Sequence, residues 1–372
     1  MKEKSNLLFL HKLIKSFADS LVKIFVPIII LQNSESMYNV VLYLIVFYTF
    51  AALFNFVLKK FLQKYGVIAI ILHVIPLIAI QFLLTLPSTW WLCVILGLLA
   101  SIDQAFYFVP LNILFSFTDK KADVSKFQIS TCVGKLLFIL LSGFILSSNI
   151  KNSVLVLAII GTALYLVSTI PLLYGFKLLK TEYVKIVQNK PQIDKKSYLK
   201  HNVFSMCFSV YKTTLEVVLP LYLFVNNLNF QAISIVLALI EVCKILTNLL
   251  AKFMYKKRWS FWGGIASLIL FFTGLILLFT VKNVVVLYIS SCLISLTFPL
   301  IFVPSFATFV KKASSDNNVF DGMTYRDIYI QSAKPILFVP YLIIPSFIAM
   351  FGVGAVSSIL MIISFKQVLK DS

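Results

Sequence analysis

Negative charge is scarce in this chain: 14 Asp and Glu residues stand against 33 Lys and Arg, and arginine occurs only at Arg258 and Arg326. Histidine is confined to His11, His73 and His201, and the five cysteines (Cys93, Cys132, Cys207, Cys243 and Cys292) stand singly inside apolar runs. Without a C-x-x-C spacing or a histidine cluster beside them, these residues give no basis for a zinc site or a disulfide framework, and they read as packing residues. There is no G-x-x-x-x-G-K-[ST] loop, no H-E-x-x-H, and no polar stretch long enough to fold as a separate enzyme domain. Nucleotide hydrolysis and metalloprotease chemistry are therefore excluded, neither enzyme activity nor a cofactor is expected, and no metal is assigned.

What the chain has in abundance is apolar length. Of 372 residues, 60% are hydrophobic and 13% charged, more apolar surface than one soluble core could bury. The fold class is an all-α polytopic membrane protein, with about 12 transmembrane helices at roughly 20 residues each. The net charge of +19 does not point to nucleic acid, because the lysines fall mainly in short segments between apolar runs. The first apolar run carries Asp19 and Lys23 and lacks a small-residue cleavage site, so it reads as a span, not a signal peptide.

Lysine-rich connections alternate with connections that hold almost no positive charge. Lys59, Lys60 and Lys64, then Lys120, Lys121 and Lys126, then Lys252, Lys256, Lys257 and Arg258, then Lys311 and Lys312 mark one side; Lys151 and Lys282 are the positive charges of the other. By the positive-inside rule both termini lie in the cytoplasm, and the expected location is a bacterial cytoplasmic membrane. The longest polar stretch, residues 177–200, divides the chain into bundles at 1–176 and 201–372 and reads as a cytoplasmic linker.

The two bundles repeat each other. Asp19, Lys23 and Pro27 in the first span correspond to Lys212, Glu216 and Pro220 in the seventh at one offset of 193 residues, with the charges exchanged in sign. Asn55 and Lys59 correspond to Asn248 and Lys252 at the same offset, Ser101 and Val109-Pro110 to Ser295 and Val303-Pro304 at 194, and Lys135 to Lys334 at 199. Ordered matches across four helix pairs imply two pseudo-symmetric six-helix bundles.

With two six-helix halves, a long cytoplasmic linker and cytoplasmic termini, the chain resembles the major facilitator superfamily over essentially its whole length. At the loop after the second span, where that superfamily carries G-x-x-x-D-R-x-G, this sequence has Lys59, Gln63, Lys64 and Gly66, which keeps the basic residue and the last glycine. The resemblance implies a substrate site between the halves, alternating access by rocking of one half against the other, and coupling to a proton gradient. It also implies that the first, fifth, seventh and eleventh spans border the central pathway.

Ionisable side chains at membrane depth are the candidate functional residues, since an unpaired charge at a helix centre costs roughly 2.5 to 3.5 kcal/mol in lipid. Lys23, Lys135, Lys212 and Lys334, with Gln128 and Gln331, form the expected substrate-binding set. Asp19, Glu216 and Asp327 form the expected proton-coupling or gating set. Asp19 is expected to face Lys212 across the pathway and Lys23 to face Glu216; Glu241 and Lys244 read as a local pair, and Asn55 and Asn248 as interhelical glue. Three prolines after Lys334 (Pro335, Pro340 and Pro345) should bend or interrupt the eleventh span.

The expected function is secondary active transport of a small anionic solute by a monomer in a lipid bilayer, with protons as the coupling partner. Efflux of amphiphilic or cationic compounds, and a sensor or assembly role without turnover, stand as alternatives at this stage.

Overall fold

The computed structural model describes residues 2–115, 121–148, 150, 152–188, 195–253, 257–281, 283–296, 298–316 and 318–368. In lipid an unsatisfied backbone N–H or C=O has no water to bond, so apolar segments of this length close their hydrogen bonds internally as helices. Every regular element among the described residues is helical. In chain order they are α1 (Lys2–Leu21), α2 (Val26–Ser34), α3 (Met37–Val57), α4 (Lys59–Leu72), α5 (Val74–Leu83), α6 (Trp90–Phe115), α7 (Lys121–Ser147), α8 (Ser153–Tyr174) and α9 (Phe176–Gln188). There follow α10 (Lys195–Thr213), α11 (Leu219–Val225), α12 (Phe230–Phe253), α13 (Lys257–Thr280), α14 (Val284–Ser295), α15 (Phe298–Ser315), α16 (Val319–Ala333), α17 (Val339–Ile343) and α18 (Phe347–Val368).

Eight segments among the described residues are long and apolar enough to cross a membrane, and α4 with α5, bent by 43°, makes a ninth. The other three crossings expected from the sequence are interrupted pairs: α1 with α2, α14 with α15, and α16 with α17.

Several interruptions trace to proline, which lacks the N–H that a helix needs and leaves the carbonyl four residues earlier without its donor. Pro27 releases the carbonyl of Lys23, and the chain turns from Val22 to Phe25 before α2 begins. Pro220 releases the carbonyl of Glu216, and Thr214–Val218 forms a π-helical turn between α10 and α11. The sequence expects one continuous seventh span; the structure has this wider turn at its charged centre. Pro335 and Pro340 accompany the 3-10 turn Lys334–Leu337 and the short α17, so the eleventh span is broken where its prolines place the break.

The segments before and after α9 meet along two seams, α7 against α12 and α3 against α16. At the first seam a Cβ added to Gly143 would lie 2.1 Å from Ser234 Oγ and 2.9 Å from the Phe230 carbonyl, so only glycine admits this approach. The second seam carries contacts along its whole length. Tyr38 and Tyr341 meet at one end, with ring centres 6.2 Å apart; Tyr48 stacks on Phe338 in the middle; Asn55 Nδ2 donates to Asp327 Oδ2 (2.6 Å) and Lys59 pairs with Asp321 (2.7 Å) at the other. Helix α9 packs across that latter end through Leu179, Tyr183, Ile186 and Val187, and the Tyr183 hydroxyl donates to the Leu62 carbonyl at 2.8 Å. We refer to this as the linker end of the bundle.

Candidate functional site

The charges of the first and seventh spans sit where those helices leave regular geometry. Lys23 lies inside the turn Val22–Phe25, and Glu216 is the middle residue of the π-helical turn. These are repeat-related positions, and in each the proline four residues on is what frees the local carbonyl.

Lys23 donates to Asp103 on α6 at 2.5 Å, Asp103 being fully buried while Lys23 keeps 30% of its side chain accessible. Asp19 receives both carboxylate contacts from Lys15 (2.8 and 2.9 Å) and a hydrogen bond from the Tyr165 hydroxyl at 2.8 Å. Glu216 lies 3.6 Å from Lys212, one turn back, and 3.6 Å from Lys244 on α12, which also holds Glu241 at 2.9 Å. Lys135 on α7 is within electrostatic reach of Glu241 and Glu216. Lys334 donates to Gln331 Oε1 at 2.9 Å and stands over the Tyr48 ring at 4.6 Å, while Gln331 Nε2 donates to Asp327 at 3.4 Å. The side chain of Gln128 lies outside the described residues.

The expected cross-bundle pairs, Asp19 with Lys212 and Lys23 with Glu216, are not the ones formed. Each group takes a partner within its own half in this conformation. An intrahelical partner four residues away is always within reach, whereas a partner across the pathway is reachable only when the halves and the rotation of both helices allow it. The Glu241–Lys244 pair is formed as expected, but Lys244 also reaches Glu216, so it belongs to the central cluster. Asn55 is interhelical glue, and its acceptor is Asp327 of the other half.

Lys212 and Glu216 lie within electrostatic reach of Lys135 on α7, Lys244 on α12 and, for Glu216, Lys334, and they keep 38% and 35% of their side chains accessible. The surrounding charge is unbalanced. Among the described residues Lys12, Lys15, Lys23, Lys135, Lys212, Lys244 and Lys334 face Asp19, Asp103, Glu216 and Glu241, a formal excess of three positive charges. Asp327 lies in the field of Lys334 and, more weakly, of Arg326, which stands over Phe306 and Phe309 and donates to Ser205 Oγ; counting this Asp and Arg leaves the excess at three. Among the described residues no group of three or more His, Cys, Asp or Glu side chains is placed to hold a metal ion.

Lys15, Tyr165 and Tyr48 join the site only in the folded structure. Lys15 had a legible signal, since it precedes Asp19 by four residues on the same helical stripe. The tyrosines had none, being ordinary aromatic residues until the packing brings their hydroxyl or ring to a charge.

Comparisons with known proteins agree with this architecture. No curated protein matches the sequence. Among solved structures, a bacterial homologue of the iron transporter ferroportin, in an outward-facing state with soaked iron, superposes with a TM-score of 0.68 at 13% identity, covering 98% of this chain and 98% of that one. The human organic anion transporter MFSD10 (TETRAN) superposes with a TM-score of 0.63 at 12% identity, covering 99% of each chain. At these identities the likeness is one of fold. The family model of the Major Facilitator Superfamily matches residues 8–320, and the chain belongs to that superfamily.

Proposed function

We propose that the chain is a secondary active transporter that moves a small anionic solute across the membrane by alternating access of the cavity between its two halves. The observation that carries this reading is the excess of ammonium groups around the partly accessible Lys212 and Glu216. A cavity of that charge favours a solute bearing a carboxylate, phosphate or comparable group, and it disfavours a cation, because Asp19 and Glu216 are already held by lysines. One structural neighbour is an organic anion transporter and another a homologue of an iron transporter; at 12–13% identity neither decides the solute.

The symmetric lysines Lys135 and Lys334, with Lys23 and Lys212, are the proposed anion-binding set, assisted by Gln128 and Gln331. Glu216 competes with the solute for Lys212, so solute entry exchanges one ion pair for another, and the carboxylate set free in that exchange can take up the coupling proton; Asp19, paired with Lys15, is proposed as a gating group. Asp327, bonded to Asn55 across the α3–α16 seam, serves as a latch between the halves at the linker end. In purified protein reconstituted into liposomes, flux of anionic solutes should exceed that of neutral and cationic ones. Lys334→Gln and Lys135→Gln should each reduce it at least about tenfold, the effect of losing roughly 1.4 kcal/mol of binding. Preferred flux of cations, undiminished in both variants, would contradict the assignment.

The linker end is proposed to face the cytoplasm, on the lysine asymmetry of the loops. Single cysteines at Lys185 and Lys312 should resist a membrane-impermeant reagent in intact cells, while one at Ser34 reacts. Labelling at Lys185 from outside would reverse the orientation.

A further inference from the structure

Behind the Lys15–Asp19 pair lies a second cluster that the anion site does not use. His11 on α1, His73 at the bend between α4 and α5, and Tyr107 on α6 are all fully buried. Their ring centres are 6.0 Å (His11 to His73), 5.7 Å (His11 to Tyr107) and 4.6 Å (His73 to Tyr107) apart, so the three share one compartment. Each imidazole has one nitrogen engaged: Nδ1 of His11 donates to the Ser168 carbonyl at 2.7 Å, and Nδ1 of His73 to the Ile70 carbonyl. A carbonyl accepts only, so the ring proton of each neutral histidine resides on Nδ1 and each Nε2 presents a lone pair. Nε2 of His11, Nε2 of His73 and the Tyr107 hydroxyl have no hydrogen-bond partner.

Unpartnered polar atoms are uncommon in a protein interior, and three in one compartment point to a common ligand. Two lone pairs and a phenol would suit a metal ion or a proton. The ammonium of Lys15 stands 4.2 Å from the Tyr107 ring centre and that of Lys12 at 5.1 Å, which disfavours a divalent cation far more than a single proton. The other charged or titratable groups facing the cluster are Asp19 on α1, Lys23 in the turn that follows it, Asp103 on α6 and Tyr165 on α8; Lys135 on α7 acts on Lys12 from further away.

We propose that His11 and His73, with Tyr107 between them, form a buried site for one proton, occupied when the Lys15–Asp19 pair opens and Lys15 withdraws from the Tyr107 ring. The proton comes from a hydronium ion reaching the cluster through the cavity. An N–H bond forms at one Nε2, water is left behind, and the other Nε2 or the Tyr107 oxygen accepts the hydrogen bond. With Lys15 in place the site is neutral, because a second positive charge at that distance is repelled. This inference rests on the proton-coupled part of the proposed function, and it locates in the first half a place where the proton resides.

The chain has three histidines, so 15N-histidine NMR of the full-length protein in detergent can follow each ring from about pH 8 to about pH 5. Assignment uses His11→Gln, His73→Gln and His201→Gln. The test variant is Lys15→Gln with Asp19→Asn, which removes the pair together and strands neither charge. Its expected spectrum has imidazolium character shared between His11 and His73, rising about one pH unit or more above the wild type. Tyr107→Phe in that background should lower it again. A double variant that titrates like the wild type, or a change confined to one ring, would overturn the proposal. No solute is present in this experiment, so a failure of the anion reading leaves it unaffected.

Discussion

Lys23→Met should be far more damaging than Asp103→Asn, although the two residues form one ion pair. Asp103 is fully buried, with one carboxylate oxygen lacking any partner, and removing Lys23 strands its charge in the interior at a cost of about 3 to 5 kcal/mol. Removing the carboxylate instead leaves Lys23 with nearly a third of its side chain accessible, where screening reduces the loss to about 1 kcal/mol. The double variant Lys23→Met with Asp103→Asn should recover most of the stability lost by the first. Thermal unfolding of the four proteins gives the coupling directly. Equal losses from the two single variants, adding in the double, would show that Asp103 is compensated by something other than Lys23.

Glu216→Gln is expected to tighten anion binding and slow turnover. Glu216 lies 3.6 Å from both Lys212 and Lys244 and within the field of Lys135 and Lys334, so it occupies the lysines that the solute needs. At an effective dielectric near 20, removing a like charge about 6 Å from a bound anion is worth about 3 kcal/mol; water in the cavity lowers this to about 1.4 kcal/mol, or roughly tenfold in affinity. Stability should change little, since Lys244 retains Glu241 at 2.9 Å and Lys212 is partly hydrated. Without the competing carboxylate the anion leaves slowly, and flux falls while binding improves. Lys212→Gln should do the reverse to affinity, weakening it by a comparable factor. Equilibrium binding and liposome flux, measured on the same preparations, separate the two quantities.

These expectations depend on tertiary placement that the sequence carries only in part. The class of the fold, the charges at membrane depth and the proline breaks are all legible, because each follows from a local rule: apolar length, the cost of a charge in lipid, and the missing N–H of proline. The offset of 193 residues also leads directly to Lys23 and Glu216, which the structure places at matching distortions of their helices. Partner choice is not local. Lys23 finds Asp103 eighty residues away on α6, and no spacing within either helix records that contact. Lys244 reads as half of a self-contained pair with Glu241, and its second contact to Glu216 exists only because α12 packs beside the π-helical turn. Likewise His11 and His73 look unrelated in sequence, and they become one compartment through the 43° bend at His73, the packing of α4 and α5 against α6, and that of α1 against α8.

Stability of the purified protein in the presence of solutes of different charge tests the central claim most directly. A ligand that binds the folded state at one hundred times its dissociation constant adds about 2.7 kcal/mol, which a thermal-shift measurement resolves. Anionic solutes should stabilise the wild type, with the effect strongly reduced in Lys135→Gln and Lys334→Gln and enhanced in Glu216→Gln. Stabilisation by cationic or lipophilic compounds alone, unchanged across all three variants, would mean that the lysines of the cavity are structural and that the solute is not an anion.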